Sequence, residues 1–155
     1  MKLTKLFLAI ACVVAIGGAT RLAHSHTQSA MAGHGWPTHN DTCFASSFAQ
    51  MQNNCVAAFG VQRLLIVPAQ ISASGTNFVT ARASGNGSDG ATKCQAIAID
   101  VANGGVSFSG NPTTSFSSAS QFLNLGSVAA PVAGTVHFEC FVAEGGGRLI
   151  NVEFH

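Results

Sequence analysis

Residues 134–142, GTVHFECFV, carry the clearest strand pattern in the chain. His137 and Glu139 alternate with the apolar residues of this stretch. Because successive side chains of a strand point to opposite faces of its sheet, the alternation predicts one buried face and one solvated face. A half-buried strand of this kind is typical of an antiparallel sheet. The residues predicted to be buried are Val136, Phe138, Cys140 and Val142.

The same pattern continues towards the C-terminus. Residues 144–147, EGGG, predict a turn, and 148–154, RLINVEF, predict a closing strand beside the first. In that closing strand we expect Ile150, Val152 and Phe154 to share one face.

Further strands are predicted on the N-terminal side, with glycine-rich turns between them. Asn103-Gly104-Gly105 predicts a hairpin turn. We expect Pro68 to end the strand 61–67, because proline cannot donate a hydrogen bond to a neighbouring strand. Residues 112–120 are either an edge strand or a long loop. Regularly spaced strands of this kind predict an all-β fold, an antiparallel β-sandwich of about seven to nine strands. The predicted strands are 61–67, 77–83, 93–101, 106–108 and the short apolar stretch 122–125.

One segment has helix-like spacing. Phe44, Phe48, Met51 and Cys55 recur at the interval that allows one short helix over 44–58, near the N-terminus of the domain.

The N-terminus predicts export. Lys2 and Lys5 precede a short apolar run, which is typical of a signal peptide and too short for a membrane span. We expect cleavage after Ala19, with Ser25 as a second site and a lipoprotein signal at Cys12 as a weaker alternative. The predicted organisation is a signal peptide over 1–19, a flexible leader rich in His, Gly and Ser over 20–40, and a single β-sandwich domain over 41–155.

Charge excludes some partners. Loss of the two signal lysines from the seven basic residues leaves five against six acidic residues, a formal charge of −1. A domain with so little charge has no electrostatic field to attract nucleic acid or an anionic membrane. We therefore predict no nucleic-acid partner, and no membrane span after signal cleavage.

Four cysteines remain after signal removal, an even number that predicts two disulfides in an oxidising compartment. Three pairings are open, and we favour Cys43–Cys55 with Cys94–Cys140. A zinc site is disfavoured, because the chain has no CxxC pair.

Catalytic motifs are scarce. The loop 85–90 matches G-x-G-x-x-G, but a strand is expected after it, whereas a dinucleotide site needs a helix there. No serine stands in a G-x-S-x-G motif. His137, Glu139 and Glu153 form the one titratable cluster that the predicted strands bring together, and we interpret them as solvated surface residues. No catalytic residue is assigned.

The leader is rich in histidine, and imidazole binds copper, nickel and zinc. The four residues are weak candidates for metal ligands, and we predict neither a metal site nor a cofactor. They are His24, His26, His34 and His39.

The chain from Leu64 onwards resembles a loose group of uncharacterised secreted bacterial β-rich proteins. The segments that carry the resemblance are LIVP at 65–68, CQAIAID at 94–100, FEC at 138–140 and RLINV at 148–152. Where the group has a cysteine before the proline, this chain has Val67. The resemblance implies an exported, disulfide-bonded β fold and no particular activity.

We therefore expect a secreted, periplasmic or envelope-associated non-catalytic protein with a structural or recognition role, whose partner is a protein or glycan surface. One alternative is a pilin-like assembly subunit completed by a strand from its neighbour. Another is a small secreted hydrolase or metal-binding protein.

Overall fold

A computed structural model of the chain describes residues 26–29, 33–35, 43–56, 63–69 and 74–155. These residues form two antiparallel sheets. The strands are β1 (His26–Ser29), β2 (His34–Gly35), β3 (Phe44–Ser47), β4 (Gln50–Asn53), β5 (Arg63–Ala69), β6 (Gly75–Ser84), β7 (Lys93–Asp100), β8 (Val106–Phe108), β9 (Gln121–Ala130), β10 (Gly134–Val142) and β11 (Arg148–Phe154).

Sheet A has the strand order β3-β4-β11-β6-β9, and β1 also pairs with β11. Sheet B has the order β2-β5-β10-β7-β8. The predicted all-β sandwich is confirmed. Nine strands come from the predicted domain 41–155, and β1 and β2 come from the range 20–40. At those six residues the paired backbone differs from the flexible leader that the sequence predicts.

The core lies between the two sheets. Val79 and Ala81 of β6 and Leu65 and Val67 of β5 contribute to it from opposite sides. Phe138 is its largest fully buried side chain. The strand 134–142 therefore buries the face that its alternation predicts.

The glycine turn after Val142 crosses between the sheets. β10 pairs with β5 and β7, whereas β11 pairs with β1, β4 and β6. The expectation that β10 and β11 are neighbours in one sheet is therefore wrong. A short turn can join two strands that face each other across a sandwich as readily as two that pair.

The short helix that the spacing allows over 44–58 is absent from the described residues of that segment. Its described residues, 44–56, form the antiparallel pair β3 and β4, joined by Phe48 and Ala49, which both have positive φ. Phe48 is 96% exposed, so the side chain that the helix would have buried lies in solvent.

Two bulges change which residues face the core. In β9 the register shifts opposite Val79 and Thr80, near Gly126 (φ +83°), and the strand extends to Ala130 instead of ending at Leu125. In β11 the shift lies between Leu149 and Asn151. As a result Leu149 is fully buried, while Ile150 is only partly buried.

The other sequence expectations have mixed outcomes. The hairpin at 103–105 is confirmed, because β7 and β8 pair there. β5 continues through Pro68 to Ala69, beyond the predicted end. This is tolerated because, among the described residues, the edge of β5 away from β10 pairs only at Leu65 and Ile66. Residues 112–120 form a loop with one isolated bridge, Lys93 to Thr113.

Both favoured disulfides are present: Cys43–Cys55 and Cys94–Cys140. The predicted signal peptide over 1–19 and the cleavage sites lie outside the described residues, and the division into signal, leader and domain stays a prediction. Within the part of the chain that is described, no helix has the length and apolarity needed to cross a membrane.

Candidate functional site

The outer face of sheet A forms a mixed aromatic and polar surface. Strand register places its side chains in transverse rows, because directly paired residues of antiparallel strands point to the same side. One row is Asn151, Arg82 and Phe122, and the next is Glu153, Thr80 and Asn124. We call this surface the platform, defined by Phe78, Thr80, Arg82, Phe122, Asn124, Asn151 and Glu153.

Two exposed aromatic rings mark the platform. Phe78 of β6 is 65% exposed and Phe122 of β9 is 66% exposed. Phe122 pairs with Arg82, four residues from Phe78, so the two phenylalanines are separated by about 14 Å along the strand direction. Large apolar side chains grouped with polar ones on an open face are typical of recognition surfaces.

Hydrogen bonds fix part of the polar set. Asn151 Nδ2 donates to Glu153 Oε1 at 3.0 Å, and Asn124 Oδ1 accepts from the Gly126 amide at 2.9 Å. Asn124 is exposed, and among the described residues its Nδ2 has no hydrogen-bond partner. The second oxygen of Glu153 has only His155 Nε2 near it within that part of the chain, at 3.9 Å. Donors and acceptors thus stand beside both rings.

The three residues predicted to form a titratable cluster, His137, Glu139 and Glu153, lie on two different sheets. His137 Nε2 lies 3.4 Å from Glu139 Oε1, and Gln95 Nε2 donates to Glu139 Oε2 at 3.2 Å, all on the outer face of sheet B. Glu153 lies on the outer face of sheet A. Because the two glutamates point away from each other on opposite sides of a sandwich, they do not form the carboxylate pair of a glycoside hydrolase.

A cavity of about 310 Å³ opens at the end of the sandwich where β7, β8 and β9 meet. Its polar side chains are already used within the fold. Asp100 accepts from the Ala102 amide, Asn103 from the Gly105 amide and Ser107 from the Ala129 amide.

The loop 85–90 is organised by one side chain. Asn86 Oδ1 accepts hydrogen bonds from the amides of Ser88, Asp89 and Gly90. The strand β7 follows at Lys93, as the sequence predicts, and Gly87 has a φ of +89°. The loop is therefore a connection whose glycine supplies a conformation that other residues rarely adopt.

The leader histidines are only partly described. His26 lies in β1, which pairs within sheet A, and His34 lies in β2, which pairs within sheet B. His24 and His39 lie outside the described residues. Over the described ranges, no three His, Cys, Asp or Glu side chains are grouped as a metal site would require.

Comparison with known proteins gives a likeness of fold. The chain is similar in structure to the CBM36-1 domain, a carbohydrate-binding module of a multidomain xylanase from the hindgut metagenome of Trinervitermes trinervoides. The TM-score is 0.50 at 11% sequence identity, over 85% of this chain and 97% of that domain. No protein-family model matches, and neither does any curated protein. At this identity the likeness establishes a shared sandwich fold.

Sequence reasoning missed the platform. Phe78 and Phe122 stand in apolar stretches, NFV and FLNL, where an aromatic residue is normally assigned to the core. In alternating strands the exposed position of Phe78 follows from the buried position of Val79 beside it. That parity is the signal that identifies the exposed ring.

Proposed function

We propose that this protein is an exported, non-catalytic recognition module that binds a glycan on the platform of sheet A. The observation that carries the proposal is the pair of exposed rings, Phe78 and Phe122, with the amide of Asn124 and the carboxylate of Glu153 in the row between them. The flat apolar face of a sugar ring packs on an aromatic side chain, and its hydroxyl groups need both donors and acceptors.

The distance between the two rings of the platform favours an oligosaccharide over a monosaccharide as the ligand. About 14 Å along the strand direction separates Phe122 from Phe78, and Thr80 and Asn124 lie between them. A single monosaccharide cannot contact both rings at that distance. The sandwich fold, shared with a carbohydrate-binding module, agrees with this proposal but does not carry it.

The sequence supports the exported location. An apolar run behind Lys2 and Lys5 is typical of a secretory signal, and two disulfides are typical of an oxidising compartment. We therefore place the protein outside the cytoplasm, as a secreted or envelope-associated module.

The pilin-like alternative gains no support from the strand pairing. β11 is paired on both edges by strands of its own chain, with β6 on one side and β4 and β1 on the other. Within the part of the chain that the structure describes, β11 therefore leaves no free edge for a strand from a neighbour.

The test is affinity gel electrophoresis and titration calorimetry with a panel of neutral and acidic polysaccharides. We expect retardation by at least one polysaccharide, and a loss of affinity of about tenfold or more for Phe122→Ala and Phe78→Ala, since burial of a Phe side chain contributes about 1.5–3 kcal/mol and about 1.4 kcal/mol is tenfold. The matched control is Phe108→Ala, which removes a ring that is 60% exposed on sheet B. Equal losses for all three variants, or no retardation by any polysaccharide, would contradict the proposal.

A further inference from the structure

Arg82 places an exposed guanidinium group on β6, the middle strand of the platform. Arg82 is exposed, and it lies between Asn151 on β11 and Phe122 on β9. Among the described residues it has no ion pair and no side-chain hydrogen bond. An arginine side chain stays charged at every physiological pH and offers five N–H donors.

The nearest acidic residue on this face does not neutralise it. Glu153 is a diagonal neighbour of Arg82, because Asn151, two residues earlier in β11, pairs with Arg82 directly. Diagonal neighbours are close enough for long side chains to meet. The oxygens of Glu153 instead face Asn151 at 3.0 Å and His155 at 3.9 Å.

A second cation lies on the other side. Arg148 pairs with Ser84, two residues along β6 from Arg82, so the two arginines are also diagonal neighbours on the same face. Arg148 uses its Nε to donate to Gln52 Oε1 at 3.1 Å, and no carboxylate of the described residues forms an ion pair with it. This corner of the platform therefore has positive charge in a chain whose predicted mature form has a formal charge of −1.

We infer that the platform selects an acidic glycan, and that Arg82 receives an anionic group of the sugar chain while Phe122 packs against the sugar ring beside it. The inference rests on the proposed function. A guanidinium group binds a carboxylate through two parallel hydrogen bonds, which a neutral sugar cannot accept in the same way. A uronic acid carboxylate and a sulfate ester present the same chemistry to this group.

The experiment compares pairs of polymers that have the same sugar backbone, one with an anionic group and one without it. Titration calorimetry uses polygalacturonate against its methyl ester for the carboxylate, and dextran sulfate against dextran for the sulfate. We expect the charged member of at least one pair to bind about tenfold or more tightly than its neutral partner, since hydrogen bonds to charged groups are among the strong ones. The pair that shows the difference identifies which anion is recognised.

Arg82→Gln should abolish that difference, while binding of neutral polymers changes by less than about twofold, because a surface substitution leaves the fold intact. Arg82→Lys should recover only part of it, since lysine keeps the charge and lacks the fork of donors. The control is Lys93→Gln, which removes a cation from sheet B. If Lys93→Gln lowers the affinity for the charged polymer as much as Arg82→Gln, general electrostatic attraction explains the preference and the inference is overturned.

The outcomes separate this inference from the proposed function. Equal binding of charged and neutral polymers through Phe122 would overturn the acidic preference and leave glycan recognition standing. Binding confined to neutral polysaccharides outside these pairs would do the same. Failure of every charged and neutral polymer to bind would overturn both.

Discussion

Cys94 and Cys140 occupy directly opposed positions on β7 and β10, and their disulfide joins two strands that already pair in sheet B. Both residues are fully buried. Cys43–Cys55 instead closes the small β3–β4 unit at the edge of sheet A. The two disulfides therefore differ in their position, one in the core and one at a sheet edge, and in the number of residues between the linked cysteines.

Removal of the central disulfide should destabilise the protein more. The chain-entropy relation assigns about 4 kcal/mol to Cys94–Cys140 and about 3 kcal/mol to Cys43–Cys55, because the sequence separations are 46 and 12. Replacement of Cys94 and Cys140 by alanine also leaves space in the core. Urea unfolding of the two double-alanine variants measures the difference. Equal free energies of unfolding would contradict both the difference in loop length and the contribution of the buried core around Cys94–Cys140.

Much of the fold can be predicted from the sequence, because the alternation of apolar and polar residues along a strand depends only on neighbouring residues. The buried residues of β10 are predicted correctly, since each Cβ direction depends only on its place in the strand. The assignment of β10 and β11 to different sheets depends on which strands they meet in space. The three glycines between them allow a pairing turn and a crossing turn equally well.

The bulges explain the remaining errors in the strands. Next to Gly126 one extra residue in β9 shifts the alternation, so that Leu123 and Leu125 are buried before the bulge and Val128 and Ala130 after it. Strict alternation ends there, so the sequence predicts a strand that stops at Leu125. The candidate platform was missed for a related reason. Its rows combine residues of β6, β9 and β11, and their register is set by pairing over long sequence distances.

Thr92 connects the two sheets through one buried hydroxyl group. Its Oγ1 donates to the Ser84 carbonyl at 2.7 Å and accepts from the Ala143 amide at 3.2 Å. Thr92→Val keeps the side-chain shape and leaves both backbone groups without this partner, so we expect a loss of about 2 kcal/mol.

Chemical denaturation measures the change in the free energy of unfolding caused by Thr92→Val, and two control variants show whether the hydroxyl group is responsible. Thr92→Ser retains the hydroxyl group and should be less destabilising than Thr92→Val. Thr135→Val changes an exposed threonine of β10 and should stay within about half a kcal/mol of the wild type. A Thr92→Val protein as stable as the Thr135→Val protein would show that the bridge contributes nothing.

Gly134 begins β10 at a point of close backbone contact. A Cβ atom placed there would lie 2.1 Å from the Ile99 carbonyl oxygen and 2.4 Å from Cγ of Pro131. Gly126 has a positive φ but open space around it. Gly134→Ala should therefore be more destabilising than Gly126→Ala, for which conformational strain costs about 1–2 kcal/mol. The thermal midpoints of the two variants test this order, and a smaller shift for Gly134→Ala would contradict it.

The last prediction concerns His137 and Glu139 on sheet B. Their side chains are 20% and 21% exposed and contact each other at 3.4 Å, but Glu153, the other carboxylate of the predicted cluster, lies on the opposite sheet. A surface pair of this kind contributes little to stability. We expect His137→Ala and Glu139→Ala to fold and to change the free energy of unfolding by about 1 kcal/mol or less. Both should retain wild-type affinity for any glycan that Phe122→Ala loses, because they lie on the other face. Loss of glycan binding in a folded His137→Ala protein would move the binding site to sheet B.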